Sequence, residues 1–349
     1  MTTQTQIAPI DLERMVELDF VRSTEAAALN AYRWFGKGEP QQAHRAAVDA
    51  MRGTLDLINV SGTAVFGDGL KPQPEGIEPG EKLGNWLDGS LEIAIATVPI
   101  DGIDLVGRGL SGAVSVMVAA CGANAESALL STQCKYMDKI AYGPDVKAGP
   151  SQVHLDASVR DNLEIIALKL GKRVQDLTVV VLDRKRHEKL VHDVRKAGAS
   201  VRLISDGDIT ACIATSLGEM GFDVYMGTGG AAEAVMAAAA INCLGGDILA
   251  RVAPVSEQEK EQVVETMGED ALEKHYHAED LAQGDNIIFC ATGISDSYAL
   301  QGIHISGSTA TTSSVVMRSR YRTVRHIRAT HDLAHKTIRL RSANAEAKL

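Results

Sequence analysis

The chain has 349 residues, 45% of them hydrophobic and 23% charged, with a formal net charge of −10. That size suits two modest domains or one large one, and the acidic surplus together with only 4% aromatic residues argues against a nucleic-acid surface. No apolar run approaches the roughly 20 residues that span a bilayer, and "MTTQTQIAPIDLERMVELDF" lacks a basic-then-apolar signal pattern, so a cytoplasmic protein with no membrane partner is expected.

In chain order, apolar residues recur at helical spacing over 12–35, and "QQAHRAAVDAMRGTLDLI" gives a second helix after the break at "GKGEP". "GTAVFGDG" reads as a strand feeding a glycine turn, and "LKPQPEGIEPGEKLG" as a surface loop. "SLEIAIATV", "GAVSVMVAAC", "ESALL" and "KYMDKIAYGP" read as further strands, so the first part is expected to cover a largely antiparallel sheet with helices. From about residue 150 strands and helices alternate with short connections. "LTVVVLD", "ASVRLIS" and "FDVYMG" are the strands, and "SVRDNLEIIALKLG", "RHEKLVHDVRKAG", "GDITACIATSLGE" and "AAEAVMAAAAINCLG" the helices. That rhythm predicts an α/β unit with a parallel sheet. Residues 1–150 and 151–340 are the expected domains, and 341–349 reads as a disordered tail. Cys121, Cys134, Cys212, Cys243 and Cys290 are scattered and odd in number, which fits small buried side chains rather than disulfides or a thiolate metal site.

Open α/β sheets bind ligands beyond the carboxyl ends of their strands, so three loops matter. "LDRKRHEKL" sets Arg184, Lys185 and Arg186 between a strand and a helix, a position that favours anions; in isolation the triplet also fits a solvated basic turn. "SDGDI" sets Asp206, Gly207 and Asp208 at the next strand end, where carboxylates suit sugar hydroxyls or simply cap a helix. "MGTGGAAEAV" is a glycine turn that includes Gly230 and enters a helix with Glu233 in its first turn, a metal ligand or a dipole carboxylate. In the first part Asp68, Asp101, Asp104 and His44 are the candidate chemical residues, since Mg²⁺ and Mn²⁺ need oxygen-rich sites.

The chain resembles the class II fructose-1,6-bisphosphatase family, including the cyanobacterial type that also hydrolyses sedoheptulose-1,7-bisphosphate. The resemblance runs over residues 12–340 and rests on "EAAALNAYRWFGKGE", "AAVDAMR", "GTAVFGDG", "KYMDKIAYGP", "LDRKRH", "VRLISDGD", "GTGGAAEAV" and "ATGI". It implies a layered αβαβα sandwich and sugar-phosphate contacts from Tyr136, Arg184, Lys185, Arg186, Asp206, Gly207, Asp208 and Gly230. It also implies a Mg²⁺ or Mn²⁺ site, and there the sequence departs from the family's pattern. His44 stands where an aspartate is expected, Asp68 and Leu70 where two glutamates are, and "VPIDGI" where D-P-x-E-G-T is. Asp101 and Asp68 keep a carboxylate and Glu233 is unchanged, whereas Val98 offers no lone pair and Ile103 cannot orient a water. The expectation is a sugar-phosphate sensor or regulatory partner of another metabolic enzyme with weakened or lost hydrolysis, and with a metal bound weakly or not at all. The competing expectation is an active enzyme with a site remodelled from Asp68, Asp101, Glu233 and His44, with Asp104 or Asp88 as a substitute ligand. A weaker third is isomerisation with His44 or Asp68 as acid and base. Assembly as a dimer or tetramer is likewise what the family implies.

Overall fold

The computed structural model describes residues 9–66, 76–122, 125–132, 134–149, 152–218 and 221–348. Helices α1 (Pro9–Tyr32) and α2 (Pro40–Leu55) open the chain. Proline starts α2, where its missing N–H costs nothing, and the helix buries Ala43, His44, Ala47, Val48, Ala50 and Met51 on one face. There follow β1 (Val60–Phe66), β2 (Lys82–Leu83), β3 (Leu91–Asp101), α3 (Ile103–Arg108), β4 (Val114–Cys121), α4 (Ala125–Ala128), β5 (Tyr136–Tyr142) and α5 (Pro144–Lys147). "ESALL", expected as a strand, falls in and after the one-turn helix α4; Ala125 is buried at the start of that turn, and buried Leu129 just beyond it forms an isolated antiparallel bridge with Ala282.

The alternating segment gives α6 (Val159–Leu170), β6 (Thr178–Leu182), α7 (Glu188–Ala197), β7 (Ser200–Ile204), α8 (Asp208–Ala214), β8 (Val224–Gly230), α9 (Ala231–Leu244) and β9 (Asp247–Val252). Helix α6 starts where the Ser158 hydroxyl accepts from the Asp161 N–H at 3.1 Å and stops at left-handed Gly171. The chain ends with α10 (Glu257–Met267), α11 (Ala278–Leu281), β10 (Ile287–Gly293), β11 (His304–Ser306), β12 (Thr309–Arg318), β13 (Thr323–Asp332), β14 (Thr337–Leu340) and β15 (Ala345–Lys348).

One sheet runs β11-β12-β10-β4-β3-β1-β2 with β13 beside β12, and the other runs β7-β6-β8-β5-β9. The first is antiparallel except for β1 on β3. In the second, β6 is parallel to β7 and β8, but β5 lies antiparallel between β8 and β9. The expected all-parallel pattern breaks there because β5 arrives from the first sheet, without a crossover helix of the second to fix its direction. The sheets also interleave along the sequence: β5 lies before residue 150 but pairs in the second sheet, while β10–β13 return to the first.

The layers are αβαβα. Helices α1 and α2 cover the outer face of the first sheet, α6 and α7 that of the second, and α8 and α9 lie between the sheets. Helix α9, "AAEAVMAAAAINCL", is apolar nearly all round because it is buried from both sides, and its alanines let the layers approach. The final residues are a correction. Residues read as a disordered tail include β15, which pairs with β14 as a hairpin against α2. Arg341 secures it by grasping both oxygens of Asp56 and reaching Glu81 at 2.7 Å, a long-range ion pairing invisible to local composition. Among the described residues no helix is long and apolar enough to cross a membrane.

Candidate functional site

The carboxyl end of β3 faces the start of α8, so the two sheets contribute to one region. Val98 is buried and lies opposite Val116 of β4. The register then shifts between Val98 and Asp101, a bulge that re-aims the strand end. Gly102, at φ 96°, turns the chain into α3. Asp101 is buried, and its Oδ2 accepts the Ile209 N–H at 3.3 Å, placing its charge at the amino end of α8. Ile103 is half-buried against the apolar cluster under α1 and α2. Asp104 and Asp88 are exposed, while His44 lies on the buried face of α2. Asp68 lies outside the described residues.

Lys139 of β5, a residue that sequence reasoning missed, sits at the centre of the arrangement. It is 1% exposed, and its ammonium donates to Asp208 Oδ2 at 2.5 Å and to the Gly230 carbonyl at 3.1 Å. Burial opposes its charge, but Asp208, helped by Glu233, raises its pKa above the ordinary lysine value. The structure therefore commits Asp208, expected to meet sugar hydroxyls, to an internal ion pair. Burial and the Asp208 charge also push the Cys212 thiol and the Tyr225 phenol well up, so both stay neutral. Two glycines make this packing possible. A Cβ on Gly229 would lie 2.2 Å from Asp208 Oδ2, and one on Gly230 would lie 1.8 Å from the Glu233 carboxylate. Glu233, buried in the first turn of α9, thus folds back over the end of β8.

The basic loop is built from the neighbouring strand ends. Arg184 donates to the Ser205 carbonyl at 2.7 Å, joining the loops after β6 and β7. Arg186 donates to the Thr228 carbonyl through Nε and Nη2, at 3.2 and 2.8 Å. Its guanidinium carbon lies 5.1 Å from the Tyr136 ring centre, and Tyr136 pairs with Gly230 across β5 and β8. Lys185 is exposed, with no partner for its ammonium among the described residues. Buried His187 locks the loop. Its Nδ1 donates to the Leu182 carbonyl at 2.7 Å, leaving Nε2 to accept the Thr228 N–H at 2.9 Å. Burial, with the charges of Arg186 and Arg184, lowers its pKa and keeps the ring neutral. The Thr228 hydroxyl donates to Asp138 at 2.6 Å. Asp206 is half-buried beside Gly207, the left-handed residue that starts α8.

The arrangement offers three cationic side chains and an aromatic face on the second sheet, beside carboxylates from both sheets. Of the predicted phosphate-loop residues, Arg186 and Tyr136 are thus tied together with Thr228 and Gly230, and Arg184 is tied to the loop after β7. The predicted metal residues are not tied together. Among the described residues, His44, Asp101 and Glu233 do not bring three ligand atoms within reach of one ion, and valine occupies position 98.

Residues 14–331 match the family model of the bacterial, glpX-encoded fructose-1,6-bisphosphatase. The chain is 37% identical over 334 residues to a fructose-1,6-bisphosphatase class 2 of Haemophilus influenzae, covering 92% of this chain and 97% of that protein. It is 35% identical over 342 residues to a D-fructose 1,6-bisphosphatase class 2/sedoheptulose 1,7-bisphosphatase of Synechococcus sp. (strain JA-3-3Ab), covering 92% and 96%. The chain belongs to the class II fructose-1,6-bisphosphatase family.

Proposed function

We propose that this member of the family binds a sugar phosphate or bisphosphate through the loops of its second sheet and hydrolyses it weakly or not at all, serving as a sensor or as a regulatory partner of a metabolic enzyme. The observation that carries this reading is the contrast around β3 and β8. Arg186 is joined to Thr228 by hydrogen bonds and to Tyr136 by a cation–π contact, and Arg184 is held by the Ser205 carbonyl, whereas Val98 is packed on Val116 and the Asp101 carboxylate is engaged by the Ile209 N–H. Phosphoryl transfer to water needs a positioned nucleophile and neutralisation of the charge that develops on the leaving oxygen. Val98 and Ile103 supply neither. One well-placed group of this kind is worth about 3–4 kcal/mol, or roughly 10²–10³ in rate.

In this reading Arg186 and Lys185 meet the phosphate, Tyr136 packs against the sugar, and Asp206 meets its hydroxyls. Lys139 holds Asp208 and the Gly230 carbonyl in place. Residual hydrolysis would depend on Mg²⁺ or Mn²⁺ and would use Asp68, Asp101 and Glu233. Assembly as a dimer or tetramer is expected by analogy with the family, and light scattering checks it.

The test is paired. Calorimetry with fructose-1,6-bisphosphate and sedoheptulose-1,7-bisphosphate should show binding. Phosphate release at saturating Mg²⁺ or Mn²⁺ should fall at least a hundredfold below that of the Haemophilus relative. Turnover near that relative's would establish the remodelled-enzyme alternative, which the burial of Asp101 and Glu233 in one region favours. Absence of binding by any sugar phosphate would remove the sensor and leave the protein-partner role.

A further inference from the structure

Away from that site, two histidines and an aspartate converge where the loop before α6 meets the segment before α11. We propose that His154, Asp156 and His275 form a binding site for a divalent transition metal of the zinc class. The three offer ligand atoms that all lie within 4.8 Å of one another. His275 Nε2 is 3.2 Å from Asp156 Oδ2, and His154 Nδ1 is 3.6 Å from the same oxygen. Ligands about 2.0–2.1 Å from a tetrahedral zinc stand roughly 3.3–3.4 Å apart, so both separations bracket a tetrahedral edge. The imidazole rings meet at 69° with centres 4.5 Å apart, an edge-on approach that lets two lone pairs share one target.

The backbone fixes each ligand before any ion arrives. Asn162 accepts the His154 N–H at 3.0 Å and donates to the His154 carbonyl at 2.8 Å. Tyr276, next to His275, exchanges both backbone hydrogen bonds with Ala250 of β9, at 2.7 and 2.8 Å. Arg251 donates to Asp156 Oδ1 at 2.7 Å, which orients the carboxylate and turns Oδ2 toward the imidazoles, the role that outer partners play around metal ligands.

The state of His275 also fits. Its Nε2 is buried and makes no hydrogen bond among the described residues. His154 Nδ1 accepts the Asp156 N–H at 3.2 Å, a contact that an ion on that nitrogen would replace. His277, two residues on, is not part of the set, because its Nδ1 is tied to Asp247 at 2.8 Å. Two imidazoles and one carboxylate suit Zn²⁺, Co²⁺, Ni²⁺ or Cu²⁺ rather than Mg²⁺, and a fourth position is left for water. A bound ion would pin the loop before α6 to the β9 side of the second sheet. Arg251 pairs in register with Asp138, the residue that holds Thr228, so β5 and β8 lie between the clamp and the basic loop after β6.

The experiment uses the full chain stripped with chelator, then titrated with ZnCl₂ in a calorimeter and with Co²⁺ in an absorption cell. The expected result is one Zn²⁺ bound, a tetrahedral Co²⁺ band, and a rise in melting temperature on adding Zn²⁺. His154→Ala and His275→Ala should each weaken uptake at least tenfold and abolish the band. His192→Ala, which removes an exposed histidine of α7, should change neither. Asp156→Asn preserves side-chain shape and tests the same loss should an alanine variant fail to fold. No uptake by the wild type overturns the site. So does uptake within tenfold of the wild type by any folded ligand variant.

Discussion

Two strand ends meet in this molecule, and they handle polarity in opposite ways. At the ends of β6 and β8, Arg184, Arg186, Thr228 and His187 are held by hydrogen bonds to neighbouring loops, with Tyr136 under one guanidinium. At the end of β3, Val98 packs on Val116, and Asp101 faces the start of α8. Cationic groups are exposed on one side, while on the other Val98 has joined the core and Asp101 meets the start of α8. On the proposed reading, recognition draws on the loops of the second sheet and chemistry on the end of β3 together with Glu233, and the two meet at the seam around Lys139 and Asp208.

The strongest way to break the contrast is to rebuild the poorer half. The double variant Val98→Asp/Ile103→Thr restores a carboxylate and a hydroxyl, and phosphate release in Mg²⁺ or Mn²⁺ should rise by roughly 10²–10³. The new aspartate enters a buried apolar position, so without the cation the variant should melt below the wild type, and adding the cation should recover part of the loss. A rate that stays at the wild-type level would show that these two positions do not limit hydrolysis.

The seam can be attacked next. Lys139→Met leaves the buried Asp208 carboxylate without its cation and should cost about 3–5 kcal/mol in urea unfolding at neutral pH. Lys139→Met/Asp208→Leu should recover much of that loss, because a well-packed apolar pair replaces an orphaned charge. Additive losses would mean that the two residues do not act as a pair. A smaller effect belongs to the exposed face: Arg186→Ala should weaken sugar-bisphosphate binding by about 10–100-fold, the worth of one charged hydrogen-bonding group at about 1.5–3 kcal/mol. It should leave stability within about 0.5 kcal/mol, since the side chain is exposed.

Much of the basic side was legible in the sequence, because local signals write it. A hydrophobic strand, a cationic triplet and a following helix announce a strand-end loop whatever the rest of the fold does, and α6, β6, α7, β7 and β8 follow that rhythm. Lys139 was not legible, because in "KYMDKIAY" a lysine reads as an outward-facing residue of a strand. Its burial depends on Asp208, sixty-nine residues away in sequence. The return of β10–β13 to the first sheet and the clasp of Arg341 on Asp56 share that character, being long-range pairings that no window of sequence contains. The trio His154, Asp156 and His275 was missed for the same reason, since its third member lies more than a hundred residues from the first two.

The smallest predicted effect tests how firmly the basic loop is locked. His187 is neutral in the fold, with Nδ1–H on Leu182 and Nε2 accepting from Thr228, so a proton on Nε2 would oppose the Thr228 N–H. Its pKa is lowered in the folded protein, by burial first. The unfolded chain therefore takes up the proton first as pH falls, and the contribution to stability is complete above the ordinary histidine range of about 6.5 and declines as pH drops below it. His187→Gln removes this titration. Between pH 8 and pH 5.5 the wild type should lose more stability in urea than the glutamine variant, by on the order of 1 kcal/mol, the scale of one buried hydrogen bond. His275 and His331, whose pKa values are also lowered, titrate in both proteins and cancel in the difference. The same loss over the same pH span in both proteins would show that His187 does not couple the loop to protonation.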